Sequence, residues 1–368
     1  MKALVLGCGR SGKAAGEVLR ARGYEVSYAE GVDLVVASPG IPVRSELQFG
    51  VEALRALGVR LLAVTGSKGK SSVVKVVADA INLAGMRATP CGNYGLPVSE
   101  LASQLSTSGS RLAVPTWAVV EVSSFQMETT NLPCGTFEAA ALLNLQEDHL
   151  DRHGSVGVYH ALKRRLLSFA EVAVDEGSVA GCDASVLAGS YFDNEVLRPN
   201  GLMAAALMRA AGVDEATVRE AFRRFAPLPH RMNELGVFRG VRCVDDSKAT
   251  SLAALAAGVS MAGQGPIRLI AGGLPKGDDP KTVLALLTKR VKKVYLIGSC
   301  AEVFSRAWAG AVDCEVCGTM ERAVGSAMRD AEEGDTLLLS PGAASFDQFT
   351  SFGERGDVFA GLVQKEGR

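Results

Sequence analysis

The most reactive cluster in the sequence is Gly66-Ser67-Lys68-Gly69-Lys70-Ser71-Ser72. It lies between the apolar run Leu61 to Thr65 and a valine-rich stretch starting at Lys70. A glycine loop that opens a helix leaves backbone N–H groups unpaired, and the helix dipole adds to their pull on an anion. Lys70 supplies a mobile positive charge, and the Ser71 hydroxyl can reach a magnesium ion. This is the chemistry of a nucleotide phosphate cradle. The general pattern G-x-x-x-x-G-K-[ST] would need glycine at Val64; here the loop is the shorter G-x-x-G-K-S. Glu121 is a second candidate, at the end of the apolar run Trp117 to Val122. Carboxylates at strand ends beside a phosphate loop are good magnesium ligands.

Such residues need strands and helices to hold them. Leu61–Thr65 reads as a buried parallel strand, and Lys70–Leu83 as a helix with Val73, Val74, Val76, Val77, Ala80 and Ile81 on its apolar face. Upstream, strands are expected at Lys2–Leu6, Tyr24–Tyr28 and Asp33–Ala37. Gly7-Cys8-Gly9-Arg10-Ser11-Gly12 matches G-x-G-x-x-G between the first strand and a helix, with Glu30 in place for a ribose. The region is about half a doubly wound sheet, so it reads as a small Rossmann-like module holding one nucleotide end of a substrate. Downstream, Gly92-Asn93-Tyr94-Gly95-Leu96-Pro97 is a tight glycine turn, and Ala139–Asn144 is a strand leading into Glu147-Asp148-His149-Leu150-Asp151-Arg152-His153. Tyr159–Ser168 reads as a helix, and its Lys163-Arg164-Arg165 triplet, taken on its own, as a solvated face. Helices are expected at Asn200–Ala211 and Glu215–Phe225, and Pro227 and Pro229 mark a boundary.

From there strands at Val241–Val244, Ile267–Ile270, Lys293–Ile297, Cys314–Val316 and Thr336–Leu339 alternate with helices, the pattern of a mostly parallel sheet. Polar clusters follow three of these strands: Asp245 to Thr250, Gly272 to Lys276, and Ser340 to Ser345. Three such clusters on one edge would make a binding face. The fold class expected is α/β with three domains: a shortened Rossmann-like domain at 1–60, a central ATPase-like domain at 61–228 and a C-terminal Rossmann-like domain at 229–368.

Charge and composition narrow the partners. Lys and Arg number 39 against 40 Asp and Glu, a net charge of −1, so no basic excess points to nucleic acid or a membrane surface. The start at Met1 runs straight into an apolar strand, so no signal peptide is expected. The eight cysteines are scattered, which suits a reducing cytoplasm. Cys314 and Cys317 form the only C-x-x-C and read as structural, with no second pair or nearby histidine.

Together these pieces resemble the Mur ligase family over nearly the whole chain. The resemblance is carried by Thr65 to Ser71, Gly92-Asn-Tyr-Gly-Leu-Pro97, Glu121-Val-Ser-Ser-Phe-Gln126, Asp148-His-Leu-Asp-Arg152, Pro229-His-Arg231, Asp246-Ser-Lys-Ala-Thr250 and Ser340-Pro-Gly-Ala-Ala-Ser-Phe-Asp-Gln-Phe349. The family's phosphate loop is the shortened one. The resemblance implies that ATP phosphorylates the carboxylate of UDP-N-acetylmuramoyl-L-alanine and that the amine of D-glutamate then displaces phosphate. Its C-terminal motif favours D-glutamate as the amino acid.

By the same resemblance, Lys70 holds the β/γ-phosphates, Ser71 and Glu121 hold one magnesium, and His149 and Lys163 hold a second. Lys163 would do so as a CO2-derived carbamate, because an ammonium cannot ligate a cation. Gly66, Ser67, Lys68, Gly69 and Ser72 complete the ATP loop, with Asn200, Arg231, Asp246 and Lys248 around the nucleotide. The UDP-substrate would meet Arg10, Ser11, Ser38, Pro39, Gly40, Asn93 and Gln126. D-Glutamate would meet Thr250, Lys276, Ser345, Phe346 and Phe352. Leu197 stands where the family often has the first asparagine of H-N-x-x-N. A cytoplasmic location and a monomer are the expectation. Two other readings stay open on the residues: a related ligase, such as a folylpolyglutamate synthase, with another acceptor or amino acid, and a simple ATPase or binding module.

Overall fold

The structure is a computed structural model that describes residues 2–7, 9–30, 44–107, 114–275, 277 and 279–367. The expected strand Asp33–Ala37, the site residues Ser38, Pro39 and Gly40, and Lys276 lie outside the described residues. The chain divides into two compact units, Met1–Phe225 and Ala226–Arg368.

The first unit begins with β1 (Lys2–Leu6), α1 (Arg10–Ala21) and β2 (Glu25–Ala29), a two-stranded parallel pair with one helix. There follow α2 (Glu46–Ala56), β3 (Arg60–Thr65), α3 (Lys70–Leu83), β4 (Arg87–Gly92), α4 (Val98–Thr107), β5 (Thr116–Glu121), α5 (Ser124–Glu128) and β6 (Phe137–Leu142). The unit closes with α6 (Leu150–His153), α7 (Val156–Arg164), β7 (Ala170–Val174), α8 (Arg198–Ala210) and α9 (Glu215–Arg224). Strands β3 to β7 form one parallel sheet in the order β4-β5-β3-β6-β7.

Both faces of this sheet are covered, so β3 and β5 read as unbroken apolar runs rather than alternating ones. Side-chain alternation still sorts the residues. Leu62 and Val64 pack with α3, α8 and α9, while Leu61 and Ala63 pack with α2 and α4 on the other face. Each fully buried Leu or Val contributes about 1.5–3 kcal/mol. Strand β4 is not among the expected strands; it contains Pro90, and as an edge strand it can spare the missing donor. Strand β6 stops two residues earlier than expected, since Asn144 bonds across to the glycine loop instead. The helix expected over 159–168 begins earlier, at Val156, and tightens into a 3-10 turn at Arg165–Phe169.

The second unit has β8 (Asn233–Phe238), β9 (Val241–Asp245), α10 (Leu252–Met261), β10 (Ile267–Gly272), α11 (Leu284–Arg290), β11 (Val291–Ile297) and α12 (Ala301–Trp308). Then come β12 (Asp313–Gly318), α13 (Met320–Asp330), β13 (Thr336–Leu339) and α14 (Phe352–Glu366). The sheet order is β12-β11-β10-β13-β9-β8, parallel except for β8, which pairs antiparallel at the edge. Strands β9, β13 and β10 are therefore adjacent, and the loops that leave their carboxyl ends share one sheet edge, as the polar clusters implied. The class is thus α/β with parallel sheets, as expected.

Candidate active site

Strand β3 is the middle of its sheet, and the chain passes to β4 and β5 on one side and to β6 on the other. The carboxyl ends of β3, β5 and β6 meet at this switch point, where open parallel sheets bind ligands. The glycine loop leaves β3 here. Gly69 caps α3 with φ of 83°, in the left-handed region, and a Cβ there would collide with the Asn200 amide. Both constraints require glycine. Asn144 braces the loop from β6. Its side chain accepts from the Lys68 N–H at 2.8 Å and donates to the Lys68 carbonyl at 2.9 Å and to Asn200 Oδ1 at 3.3 Å. Asn200 is thus placed beneath the loop, through α8.

Three lysines and two carboxylates converge on this loop. Lys70 Nζ donates to the Gly66 carbonyl at 2.9 Å and the Ser67 carbonyl at 3.2 Å. Lys163 Nζ donates to the same Gly66 carbonyl at 2.8 Å and is only 2% exposed. Burial, and next the positive charge of Lys70, push the Lys163 amine down to about 7. The solvated-face reading therefore fails for Lys163, while its neighbour Arg164 is exposed. Lys68 lies 3.5 Å from Asp148, and His149 follows in a left-handed backbone conformation with its ring 4.8 Å from that of Phe125. Tyr159, one turn before Lys163, sets its hydroxyl 3.0 Å from Ser67 Oγ.

Glu121 ends β5, 2% exposed. Asn93 donates to its Oε1 at 2.7 Å, but Oε2 is buried with no hydrogen-bond partner among the described residues. A buried carboxylate oxygen left without a donor is costly, and a cation is the group that suits it. Among the described residues no three His, Cys, Asp or Glu side chains cluster as a ready metal cage. Lys163 is near enough for the Glu121 charge to act on its amine, and an ammonium there is not itself a cation ligand.

Other expected residues of this unit are already engaged. Gln126 forms a capping box with Ser123 at the start of α5, accepting from the Ser123 N–H at 2.9 Å. Arg10, at the start of α1, pairs with Glu100 on α4, and Ser11 beside it is exposed.

In the second unit, Asp246 leaves β9 buried, accepting from Ser340 Oγ at 2.9 Å and the Met232 N–H at 3.3 Å. Burial raises its carboxyl to about 7. Lys248 Nζ sits 3.8 Å from the centre of the Phe352 ring, a cation–π contact that joins the β9 loop to α14. His230, in a left-handed conformation just before Arg231, is 2.7 Å from the Asp245 carboxylate. Ser345 is buried and Phe346 is 70% exposed.

Sequence reading missed the residue that gathers these loops. Arg355 is fully buried; its guanidinium donates to Ser247 Oγ at 3.0 Å, the Ser247 carbonyl at 2.8 Å and the Ala343 carbonyl at 3.1 Å. It also lies against Gly273, where a Cβ would crowd it. One side chain thus touches all three strand-end loops. The available signal was its place on the buried stripe Arg355, Phe359 and Val363 of α14, where an apolar residue would be usual. Cys314 and Cys317 both sit in β12 as free thiols that burial raises to about 11.

Comparison with known proteins gives this geometry its class. Residues 64–180 match the Mur ligase middle domain, and residues 230–342 match the Mur ligase glutamate ligase domain. The chain belongs to the Mur ligase family. It is 32% identical to the UDP-N-acetylmuramoylalanine–D-glutamate ligase of Acidobacterium capsulatum, over 98% of this chain and 96% of that one. It is equally similar, at 32% and the same coverage, to the protein of that name from Nitratidesulfovibrio vulgaris. The fold matches that of the MurF ligase from Thermotoga maritima in complex with ADP, at a TM-score of 0.63 and 14% identity, covering 99% of this chain and 95% of that one. The first alignment spans 455 positions against 368 residues here, so that relative carries segments this chain lacks.

Proposed function

We propose that this chain joins D-glutamate to UDP-N-acetylmuramoyl-L-alanine at the expense of ATP, in peptidoglycan precursor synthesis. The observation that carries the reading is the convergence of Lys70, Lys163 and Glu121 on one glycine loop, in a chain aligned end to end with ligases named for that reaction. The domain bounds remain as read from the sequence: 1–60 for the UDP end, 61–228 for ATP and 229–368 for the amino acid.

The reaction must bring a carboxylate against a triphosphate, and the two repel. Cationic groups fixed in advance reduce that cost. The loop N–H groups of Gly66 to Ser72 and the Lys70 ammonium hold the phosphates and stabilise charge on the transferred phosphoryl group. The acceptor carboxylate takes the γ-phosphoryl group and ADP leaves. The amine of D-glutamate then attacks the acyl phosphate carbon, phosphate departs, and the amine loses a proton as the amide forms. Ser71 and Glu121 would hold one magnesium, and His149 with carbamylated Lys163 a second. When bound, the ions screen phosphate charge and polarise the acceptor carboxylate. CO2 adds only to a neutral amine, and burial beside Lys70 supplies that form of Lys163 near neutral pH.

Asn200, Arg231, Asp246 and Lys248 would contact the nucleotide; Arg10, Ser11, Ser38, Pro39, Gly40, Asn93 and Gln126 the UDP-substrate. Thr250, Lys276, Ser345, Phe346 and Phe352 would hold D-glutamate, where an ammonium and hydroxyls suit a dicarboxylate. The partners are small molecules, and the protein acts as a cytoplasmic monomer. Among the described residues no helix is long and apolar enough to cross a membrane. Phosphate release, measured with a panel of UDP-muramoyl acceptors and amino acids, tests the reading. Turnover should require both UDP-N-acetylmuramoyl-L-alanine and D-glutamate; turnover with ATP alone, or with a different pair, overturns it.

A further inference from the structure

His153 closes α6, four residues after His149, and its side chain is 1% exposed. Its Nε2 is 3.0 Å from Ser124 Oγ, and its Nδ1 is 3.3 Å from Glu128 Oε1. Ser124 and Glu128 are the first and last residues of α5. The ring also packs between Phe125 and Tyr159, at 5.4 and 5.5 Å between ring centres. Arg152 grips the same Glu128 carboxylate at 3.1 and 2.7 Å and keeps it ionised, below the usual range. An ionised carboxylate only accepts, so it fixes the ring proton on Nδ1 and leaves Nε2 to accept from the Ser124 hydroxyl.

Serine, histidine and acid follow here in the order of a hydrolytic relay. Ser124 is 2% exposed, however, so no substrate carbonyl reaches it. The arrangement does something else. It bolts both ends of the five-residue helix α5 to α6. Helix α5 carries Phe125, 42% exposed, and Gln126, whose capping box with Ser123 sets the turn directly after Glu121. Helix α6 carries His149 at its start, and the His153 N–H donates to the His149 carbonyl at 3.0 Å. A helix of five residues has little stability of its own, so its placement depends on these tertiary bonds.

We propose that His153 is a positioning residue for acceptor binding: through Ser124 and Glu128 it fixes the α5 turn against which the UDP-linked acceptor lies. This rests on the ligase reading above and goes beyond it, since it assigns a role to a buried side chain that touches no substrate.

The experiment compares His153→Phe and Ser124→Ala with the unaltered protein. His153→Phe keeps a ring between Phe125 and Tyr159 and removes both nitrogens; Ser124→Ala deletes one hydroxyl and leaves the packing. Partners that orient a ligand-binding group commonly cost about 10–100-fold when lost. The KM for UDP-N-acetylmuramoyl-L-alanine should therefore rise about tenfold in each variant, with the KM for ATP within about twofold of the original. The double variant should be no worse than His153→Phe, because both act through one bond. A parallel rise in both KM values, or an unchanged acceptor KM in Ser124→Ala, overturns the proposal. Should His153→Phe fail to fold, Ser124→Ala decides alone. The unaltered protein is the control for the ligase reading itself: if it forms no amide, that reading fails, and not the role of His153.

Discussion

Lys163 and Lys70 donate to the same acceptor, the carbonyl of Gly66, at 2.8 and 2.9 Å. Two ammonium groups that close raise each other's cost, and the buried one gives way: Lys163 falls to about 7, through burial first and Lys70 next. The glycine loop and the lysine 97 residues away are thus one electrostatic unit.

Removing Lys163 separates the site role from a surface role. A solvated lysine could be lost with a change of no more than about 0.5 kcal/mol and no effect on activity. As a carbamate it supplies an anionic oxygen, so Lys163→Ala should be nearly inactive. Acetate should enter the gap and restore part of the rate, whereas chloride at equal ionic strength should not. Full activity of the alanine variant without additive would falsify the carbamate assignment.

The same lysine predicts a pH dependence of stability in CO2-free buffer. Its ordinary value is 10.5 and its folded value about 7. Between them the unfolded chain holds a proton that the folded chain lacks, so stability rises with pH across that window. Below about pH 7 both states are protonated and the penalty of the buried ammonium is fully present. Urea unfolding at about pH 7.5 and about pH 9.5 should show the rise, and Lys163→Met should flatten it. An unchanged slope in the Met variant would place the titration elsewhere. With ¹³CO2, intact protein should show a carbamate carbon signal that grows over the same window.

Glu121 trades stability for its site. Its Oε2 is buried without a donor among the described residues, while Asn93 serves Oε1. Glu121→Gln removes the buried charge and should leave thermal stability equal or higher by about 1 kcal/mol, with ligase activity lost. An active Gln variant would show that no charge is needed there.

Lys70→Ala should cost about 3 kcal/mol or more in the barrier, as for other preorganised charge partners, with the fold intact. The check is turnover alongside circular dichroism; near-normal turnover refutes the assignment of the phosphate loop.

Arg355→Ala should strip the shared donor from Ser247 and Ala343. Buried acceptors left unpaired cost about 1–3 kcal/mol each, so unfolding of the second unit should shift by about 3 kcal/mol or more. Arg355→Lys should not restore it, because one ammonium cannot reproduce the planar fork. The KM for D-glutamate should rise in the Lys variant, since the three loops lose their common anchor. Equal stability of the Lys variant and the original would refute the role.

The sequence by itself determined the parts whose signal is local. Helix α3 runs over Lys70–Leu83 and β13 over Thr336–Leu339, as their apolar patterns imply, because a buried strand or helix face writes its period directly into the chain. The glycine loop was legible for the same reason: loop, Lys70 and Ser71 are contiguous. What the sequence did not show are elements held by distant partners. Strand β4 tolerates Pro90 only because it lies at the edge, and the five-residue α5 is held by His153 from outside itself. Lys163 is the sharpest case. In a Lys-Arg-Arg triplet nothing local marks one lysine for the interior. Only the packing of α7 against the loop after β3 removes its water and sets it beside Lys70. Arg355 is similar: its charge reads as surface until three strand ends converge on it. Burial and charge proximity are properties of the folded chain, and they turned these two ordinary basic residues into the pivots of their units.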